Sequence, residues 1–274
     1  MFDAYFAPPF LQPADALHMA QYGVTHCVLA IRSAHCETSV RPEANAHNFP
    51  AHHPQTSPKV RQKHARELLE DVGITVFVAD AISSHLEPER NWEAQWASLV
   101  ARVEAGQVAV LGVMDFQEEN GRSMDILDRH LALSKVANLP IYVKSPHHFS
   151  SRGRAALVQR AQTHAQRWYW VHPELTFAHS ALLRGEGAIL SPHRRVSADD
   201  LVTLATLLPK HARGRLKIAS SSGRGLNPFA LASMEIAGDV LNASRTLERV
   251  LEDVRLVELP PAVTLPPSRV STSA

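Results

Sequence analysis

A lysine and a histidine each stand at the end of a short apolar run, where a buried strand would end. Lys144 closes the run 141–144, and His172 follows the run 168–171 and precedes Pro173. An amine desolvated in a closed pocket has a lowered pKa and can act as a base, a Schiff-base nucleophile or an oxyanion stabiliser. An imidazole exchanges protons near neutral pH. Lys144 and His172 are therefore the leading candidates for acid–base chemistry on a small carbonyl compound.

A purely structural role for Lys144 is an open alternative. Its ammonium group can be held in an ion pair by Asp115 or by Asp3. Asp115 lies two residues beyond Val113, so on a continuing strand the two side chains share one face and the carboxylate can approach the lysine. Asp115 is accordingly a catalytic candidate if Lys144 is one, and a charge partner otherwise.

Three more side chains could take part in catalysis or substrate binding. Tyr5 can donate a phenolic hydrogen bond that polarises a carbonyl group, although a buried tyrosine is commonly just packed. His147 and His148 follow Pro146 directly after the fifth apolar run, where His147 is a candidate general acid or base and His148 a candidate substrate contact. For both histidines, capping of the loop is the alternative.

The remaining candidate substrate contacts come from the first, seventh and eighth strand segments. They are Asp3, His193, Ser220 and Ser221. The stretch 220–225, SSSGRG, is a small-residue turn that can present backbone amides to an anion. It matches no fixed phosphate motif, so this signal is weak.

Eight short apolar runs that alternate with segments of helical periodicity must position these residues. The runs are 1–6, 24–31, 74–79, 108–114, 141–144, 168–171, 188–191 and 216–219, and the clearest amphipathic helices are 91–104, 124–137, 153–166 and 198–207. This alternation predicts a parallel sheet, and eight strands predict a single (β/α)8 TIM barrel of the α/β class. Active sites of such barrels form at the C-terminal ends of the strands, where Lys144 and His172 fall.

The chain length of 274 residues suits one barrel domain, predicted over 1–258. The Pro/Ser/Thr-rich segment 259–274 lacks apolar periodicity and is predicted to be a disordered tail. Segment 33–58 is rich in histidine, proline, asparagine and serine, and is long enough to act as a lid over the active face.

Composition excludes several classes of partner. The formal net charge is +1 with 45% hydrophobic and 20% charged residues, which gives no basic field for nucleic acid or an anionic membrane. The two cysteines, Cys27 and Cys36, match no metal motif and are expected to be free thiols. Without a membrane span or a leader peptide, the expected location is the cytoplasm. A small-molecule substrate is the expected partner, and a homodimer is compatible with the sequence.

Several of these segments resemble the TatD-like metal-dependent hydrolases, an amidohydrolase-type TIM-barrel family, and especially a branch found in some secondary-metabolite gene clusters. The segment 140–147, PIYVKSPH, resembles the H-T-P-H turn after strand five of that branch, and 169–172, YWVH, resembles its strand-six V-D-H. Looser counterparts of the strand-one D-x-H-x-H, the strand-four V-G-E, strand seven and strand eight are 1–7, 110–113, 189–192 and 218–221. The resemblance covers most of 1–240 and implies the same barrel.

Most of the metal ligands that the resemblance implies are replaced. Tyr5 and Ala7 stand at the first-strand histidines, Val113 at the strand-four glutamate and Lys144 at the strand-five histidine. An ammonium group cannot ligate a cation, so we expect no metal cofactor. A single divalent ion held by His172 with Asp3 or Asp115 is the alternative.

Three functions are compatible with this pattern. The first is a metal-independent acid–base enzyme of cyclase, isomerase or lyase type, acting on a small carbonyl-containing metabolite in a biosynthetic pathway. The second is an inactive pseudoenzyme that binds a metabolite or a partner protein. The third is a hydrolase with a reduced metal site.

Overall fold

The computed structural model describes residues 2–6, 11–30, 58–82, 92–114, 121–145, 150–191 and 196–220. Within these ranges strands and helices alternate along the chain. The strands are β1 (Phe2–Phe6), β2 (His26–Ala30), β3 (Thr75–Asp80), β4 (Val110–Met114), β5 (Ile141–Lys144), β6 (Trp168–Val171), β7 (Gly187–Leu190) and β8 (Leu216–Ile218). The helices are α1 (Pro13–Gln21), α2 (Pro58–Asp71), α3 (Trp92–Glu104), α4 (Gly121–Ala137), α5 (Ser151–Thr163), α6 (Leu175–Leu183), α7 (Ala198–Leu207) and α8 (Lys210–Arg213).

The eight strands form one sheet in which each strand pairs in parallel with the next along the chain, in the order β1 to β8. This arrangement confirms the predicted (β/α)8 barrel. The bounds of β5, β6 and α7 match the prediction, and the other predicted elements differ by a few residues, as at β2, for which the sequence predicts 24–31. No bounds were predicted for α1, α2, α6 and α8. Because the strands are parallel, their C-terminal ends lie together at one end of the barrel, which we call the mouth.

Several helices begin at residues that satisfy their free N–H groups. At α7 the Ser197 hydroxyl accepts from the Asp200 N–H at 3.1 Å, and the Asp200 carboxylate accepts from the Ser197 N–H at 2.8 Å. At α5 the Ser150 hydroxyl accepts from the Gly153 N–H at 3.2 Å. These caps satisfy donors that the first helical turn leaves without a backbone partner, and so fix where each helix starts after its loop.

Side chains of the strands pack in two layers on opposite faces of the sheet. One cluster fills the inside of the barrel and includes Tyr5, Tyr142, Tyr169, Ile189 and Ala219. Three other clusters pack the outer face of the sheet against the helices. Alternate residues of each strand contribute to the two layers, so neighbours in sequence face either the interior or the helices.

The N-terminal end of the barrel is closed by Tyr169 and Arg215. The Arg215 guanidinium lies over the Tyr169 ring at 4.6 Å from its centroid and donates to the backbone carbonyls of Gln166 and Ala165, both at 2.7 Å. The Tyr169 ring also covers Gly187 on β7, where a β-carbon would overlap it. We call Tyr169 and Arg215 the floor of the barrel.

Replacing Gly187 by alanine is expected to destabilise the protein by about 1–3 kcal/mol, because the added methyl group overpacks the floor. Urea unfolding followed by circular dichroism measures this change. In a Tyr169→Leu background the same substitution should have a smaller effect, since the ring that it strikes is gone. An equal effect in both backgrounds would contradict the packing explanation.

Among the helices that the structure describes, none is both long and apolar enough to cross a membrane.

Candidate functional site

Lys144 and His172 lie beside each other at the mouth. Lys144 is the last residue of β5 and pairs in register with Val171, the last residue of β6, which His172 follows directly. Both side chains are half-buried. The parallel pairing of β5 and β6 therefore brings together the two residues that the sequence marks as the leading candidates.

The backbone of His172 has an unusual conformation. Its φ is 50°, in the left-handed region that costs a non-glycine residue about 1–2 kcal/mol. The His172 N–H donates to the Ile189 carbonyl at 2.9 Å, which ties this position to β7. Strained backbone of this kind persists only where the surrounding structure imposes it, and it is concentrated at functional sites.

Tyr5 contacts His172 from another part of the barrel wall. Its side chain is 1% exposed, and its ring packs edge-on against the imidazole, with centroids 5.2 Å apart and planes at 69°. This edge-to-face geometry is favourable for aromatic rings. The first and sixth strands therefore place a phenol and an imidazole in contact at the mouth.

Asp3 is fully buried and joins the first strand to the end of the last. Its carboxylate accepts hydrogen bonds from the Ser220 N–H at 3.1 Å, from the Ser220 hydroxyl, and from the Tyr5 N–H at 3.2 Å. Burial raises the pKa of Asp3 to about 6, against the opposing effect of these hydrogen bonds. Asp3 and Ser220, both predicted substrate contacts, are thus hydrogen-bonded to each other.

Two buried polar side chains near the mouth were not among the predicted site residues. Lys217 lies on β8 and is 2% exposed, and Ser191 follows β7 and is also 2% exposed. Burial, and then the nearby Arg215, lowers the pKa of Lys217 to about 7. The signal was present in the sequence, because Lys217 alternates with Leu216 and Ile218 in an apolar run and must take the opposite face.

The other predicted site residues, Asp115, His147, His148, His193 and Ser221, lie outside the described residues, as do the segments predicted as a tail and most of the predicted lid. The predictions about them stand as made.

The described residues at the ligand positions of the resemblance do not fit a divalent metal. Tyr5 is packed, Lys144 is a cation, and Val113 packs against the apolar cluster inside the barrel. Within the described ranges no three histidine, cysteine, aspartate or glutamate side chains come together as a metal site would require. His172 is the one imidazole that the described mouth retains from that pattern.

Solved structures share the fold of this chain, whereas comparisons of its sequence found no match. No family model matches the chain, and no curated protein matches it either. Among solved structures, the TatD-like protein from Archaeoglobus fulgidus superposes with a TM-score of 0.62 at 12% identity, over 93% of this chain and all (100%) of the other.

Two further structures agree. The phosphotriesterase homology protein from Escherichia coli, solved with phosphate in its active site, gives a TM-score of 0.60 at 10% identity over 91% of this chain and 94% of its own. A TatD family hydrolase from Entamoeba histolytica gives a TM-score of 0.56 at 9% identity, over 92% of this chain and 95% of its own. At these identities the likeness concerns the backbone, and the chain accordingly has the (β/α)8-barrel fold that TatD-like and phosphotriesterase-type proteins share.

Proposed function

We propose that this protein is a divergent TatD-like barrel that catalyses proton transfer on a small carbonyl-containing metabolite without a metal cofactor. Keto–enol isomerisation and aldol-type cyclisation or cleavage all include such a transfer. The contact between Tyr5 and the strained His172 at the mouth is the observation that carries the proposal, because it sets a proton-donating phenol beside an imidazole at the end of the barrel where catalysis occurs.

Each of the three side chains has a distinct role in this proposal. His172 removes a proton from the carbon next to the carbonyl group and later returns one. The Tyr5 phenol donates a hydrogen bond, either to the substrate oxygen or to the imidazole. The Lys144 ammonium stabilises the negative charge that develops on the oxygen as the proton leaves.

The proposal uses the family resemblance for the position of the site and departs from it in the chemistry. The TatD-like neighbours support a site at the mouth, since the same fold is present. The replacement of histidine ligands by Tyr5 and Lys144 supports a reaction that needs proton donors and a fixed positive charge. A small molecule is the expected partner.

Hydrogen–deuterium exchange at the substrate carbon tests the proposal without knowledge of the natural substrate. The full-length protein is incubated in D2O with pyruvate, dihydroxyacetone or cyclohexanone, and loss of the α-proton signal is followed by NMR. We expect exchange above the uncatalysed rate with at least one probe. Tyr5→Phe, which keeps the ring against His172 and removes the hydroxyl group, should lower that rate by about 10-fold or more.

Tyr22→Phe is the matched control, because it removes a phenol at the end of α1, remote from the mouth, and should leave the rate unchanged. Exchange with none of the three probes would contradict the proposal and favour a binding protein. Elemental analysis of protein purified without a metal-affinity tag is the second measurement. About one zinc, iron or manganese per chain, lost together with the exchange on replacement of His172, would instead favour a metal-dependent hydrolase.

A further inference from the structure

The β8 lysine projects into the barrel. Leu216 and Ile218, on either side of it, pack with the outer cluster that contacts α6 and α7, whereas Ala219 packs with the cluster inside the barrel. Strand alternation therefore turns Lys217 inward. Its register partner on β7 is Ile189, which belongs to the same interior cluster.

The Lys217 amine is buried, and no described group replaces the hydrogen bonds to water that burial removes. Its Nζ atom has no hydrogen-bond partner within the part of the chain that the structure describes. Besides burial, the charge of Arg215 lowers the pKa of Lys217, and this group has the same sign and belongs to the floor. The buried carboxylate of Asp3 already accepts hydrogen bonds from Ser220 and Tyr5. An ammonium ion in such surroundings is costly, so the neutral amine, which is a nucleophile, is favoured.

Ser191 presents a second buried donor close by. It lies two residues after Ile189, and its hydroxyl oxygen is buried with no hydrogen-bond partner among the described residues. Two polar groups without partners, one at the end of β7 and one on β8, require an acceptor that the described chain does not provide. The interior cluster contains small side chains at Ala30, Ala79 and Ala219 beside larger ones such as Tyr5 and Val171.

Lys217 and His172 flank the same residue of β7. The His172 N–H donates to the Ile189 carbonyl from the β6 side, and Lys217 pairs with Ile189 from the β8 side. Adjacent strands are about 4.8 Å apart, so the two backbones are on the order of 10 Å apart. Lys217 turns into the barrel by strand alternation, and the His172 ring contacts Tyr5 of the interior cluster. A molecule of a few carbon atoms is long enough to contact side chains that start from backbones this far apart.

We propose that Lys217 is the nucleophile of this barrel, forming an imine with the carbonyl carbon of the substrate while Ser191 donates a hydrogen bond to the carbonyl oxygen. This inference rests on the proposed function, which it deepens by making catalysis covalent and restricting the substrates to aldehydes and ketones. It assigns to Lys217 the Schiff-base role that the sequence offers for Lys144, and moves the electrostatic role of Lys144 to the addition step, in which negative charge develops on the carbonyl oxygen.

The covalent step is balanced without any co-reactant. The lone pair of the neutral Lys217 amine attacks the carbonyl carbon, the carbonyl π pair moves to oxygen, and a proton transfers from nitrogen to oxygen to give a carbinolamine. The hydroxyl group then takes one proton from solvent and leaves as water, and a protonated imine remains. Its positive nitrogen acidifies the carbon next to the imine carbon, from which His172 removes a proton to give a neutral enamine, and the same imidazole returns a proton to that carbon. Addition of water reverses the sequence and releases the product.

Reductive trapping tests the assignment on the full-length protein. The protein is incubated at pH 7 with pyruvate or dihydroxyacetone and sodium cyanoborohydride, which reduces an imine to a stable secondary amine. After unfolding and digestion with trypsin, mass spectrometry locates the added group. We expect it on the peptide 216–224, uncleaved at Lys217. Lys217→Met should abolish this labelling, whereas Lys135→Met, which removes an exposed lysine on α4, should leave it unchanged.

The location of the label in the wild-type protein decides the outcome even if Lys217→Met fails to fold. Labelling of Lys144 in place of Lys217, labelling spread over exposed lysines, or no labelling with either probe would overturn the inference. Deuterium exchange without a trapped imine would leave the proposed function standing and remove only the covalent step. A trapped imine at Lys217 without exchange would uphold the nucleophile and contradict the role of His172.

Discussion

Replacing His172 by asparagine is expected to lower the rate of α-proton exchange by about 10²- to 10⁴-fold, the usual contribution of a general base. In the proposed mechanism the imidazole takes the proton, and an amide cannot replace it. The fold should survive, because asparagine adopts the left-handed backbone conformation more readily than most residues. The relief of backbone strain offsets the loss of the ring contact with Tyr5, so thermal stability is expected to change little while activity falls.

This separation of stability from activity is what distinguishes a catalytic His172 from one that merely packs against Tyr5. If His172 only packs against Tyr5, its truncation to asparagine should lower the stability of the protein and leave the rate of α-proton exchange by the folded fraction unchanged. The NMR exchange assay and thermal unfolding on the same samples give both quantities. His211→Gln, at an exposed position on α8, is the control for removal of a histidine. Exchange at the wild-type rate in His172→Asn would exclude the imidazole as the base.

The second large effect is expected at Asp3, where Asp3→Asn should stabilise the protein above pH 6. The pKa of this carboxyl group is raised from 3.8 to about 6, so the folded protein binds the proton more tightly than the unfolded chain does. Its contribution to stability is then fully present below pH 3.8 and is lost as the pH rises through 6. A shift of this size corresponds to about 3 kcal/mol. Asparagine is neutral throughout and can keep the bonds to Ser220 and Tyr5.

The measurement is the free energy of unfolding in urea for wild type and Asp3→Asn at several pH values between 4 and 7. The difference should be small at pH 4 and should grow in favour of the variant up to about pH 6. Buried His130, whose pKa is lowered to about 4, makes an opposing contribution that is lost as the pH falls, but it is present in both proteins and cancels. A less stable Asp3→Asn at pH 7 would show that the charged hydrogen bonds outweigh the burial of the carboxylate.

Asp200→Asn is the matched control with the opposite sign. Hydrogen bonds from the backbone and side chain of Ser197 lower the pKa of Asp200 at the start of α7. Its contribution is present above its unfolded-state pKa and is lost as the pH falls through its folded-state pKa, so the asparagine variant should be less stable than wild type near neutral pH. Two aspartate-to-asparagine changes in one chain thus have opposite expected effects, for reasons that the surroundings of each carboxylate determine.

The sequence predicts the barrel well because its signals are local. The strands β5 and β6 are short apolar runs with clear ends, and α7 has a capping serine and a regular apolar stripe. Helix α6 was not predicted, since it is apolar on most of its surface and shows little contrast between faces. Helix α2 was missed for the opposite reason, because it is mostly polar. Among its side chains that the structure describes, the buried ones are Ala65 and Leu69.

The site is predictable where it depends on the ends of strands, and not where it depends on contacts across the barrel. Lys144 and His172 could be placed at the mouth because parallel strands end together. The bond between Asp3 and Ser220 joins residues 217 positions apart, and no local pattern encodes it. The alternation of β8 indicates that Lys217 is buried, but lysine is almost never buried without a partner. Its residue type therefore argued against a place in the interior, and Lys217 was not predicted as a site residue.

The hydrogen bonds between Asp3 and Ser220 also join the first strand to the end of the last one. Strand pairing runs from β1 to β8, and within the described residues no backbone ladder joins β8 back to β1. The closure of the ring therefore depends on side-chain contacts and on one carboxylate. If those contacts open, the molecule becomes an eight-stranded open sheet whose two outer strands expose unpaired amides and carbonyls, the surface on which chains associate edge to edge. We therefore expect Asp3, at the edge of the candidate site, to protect the protein from edge-to-edge association as well.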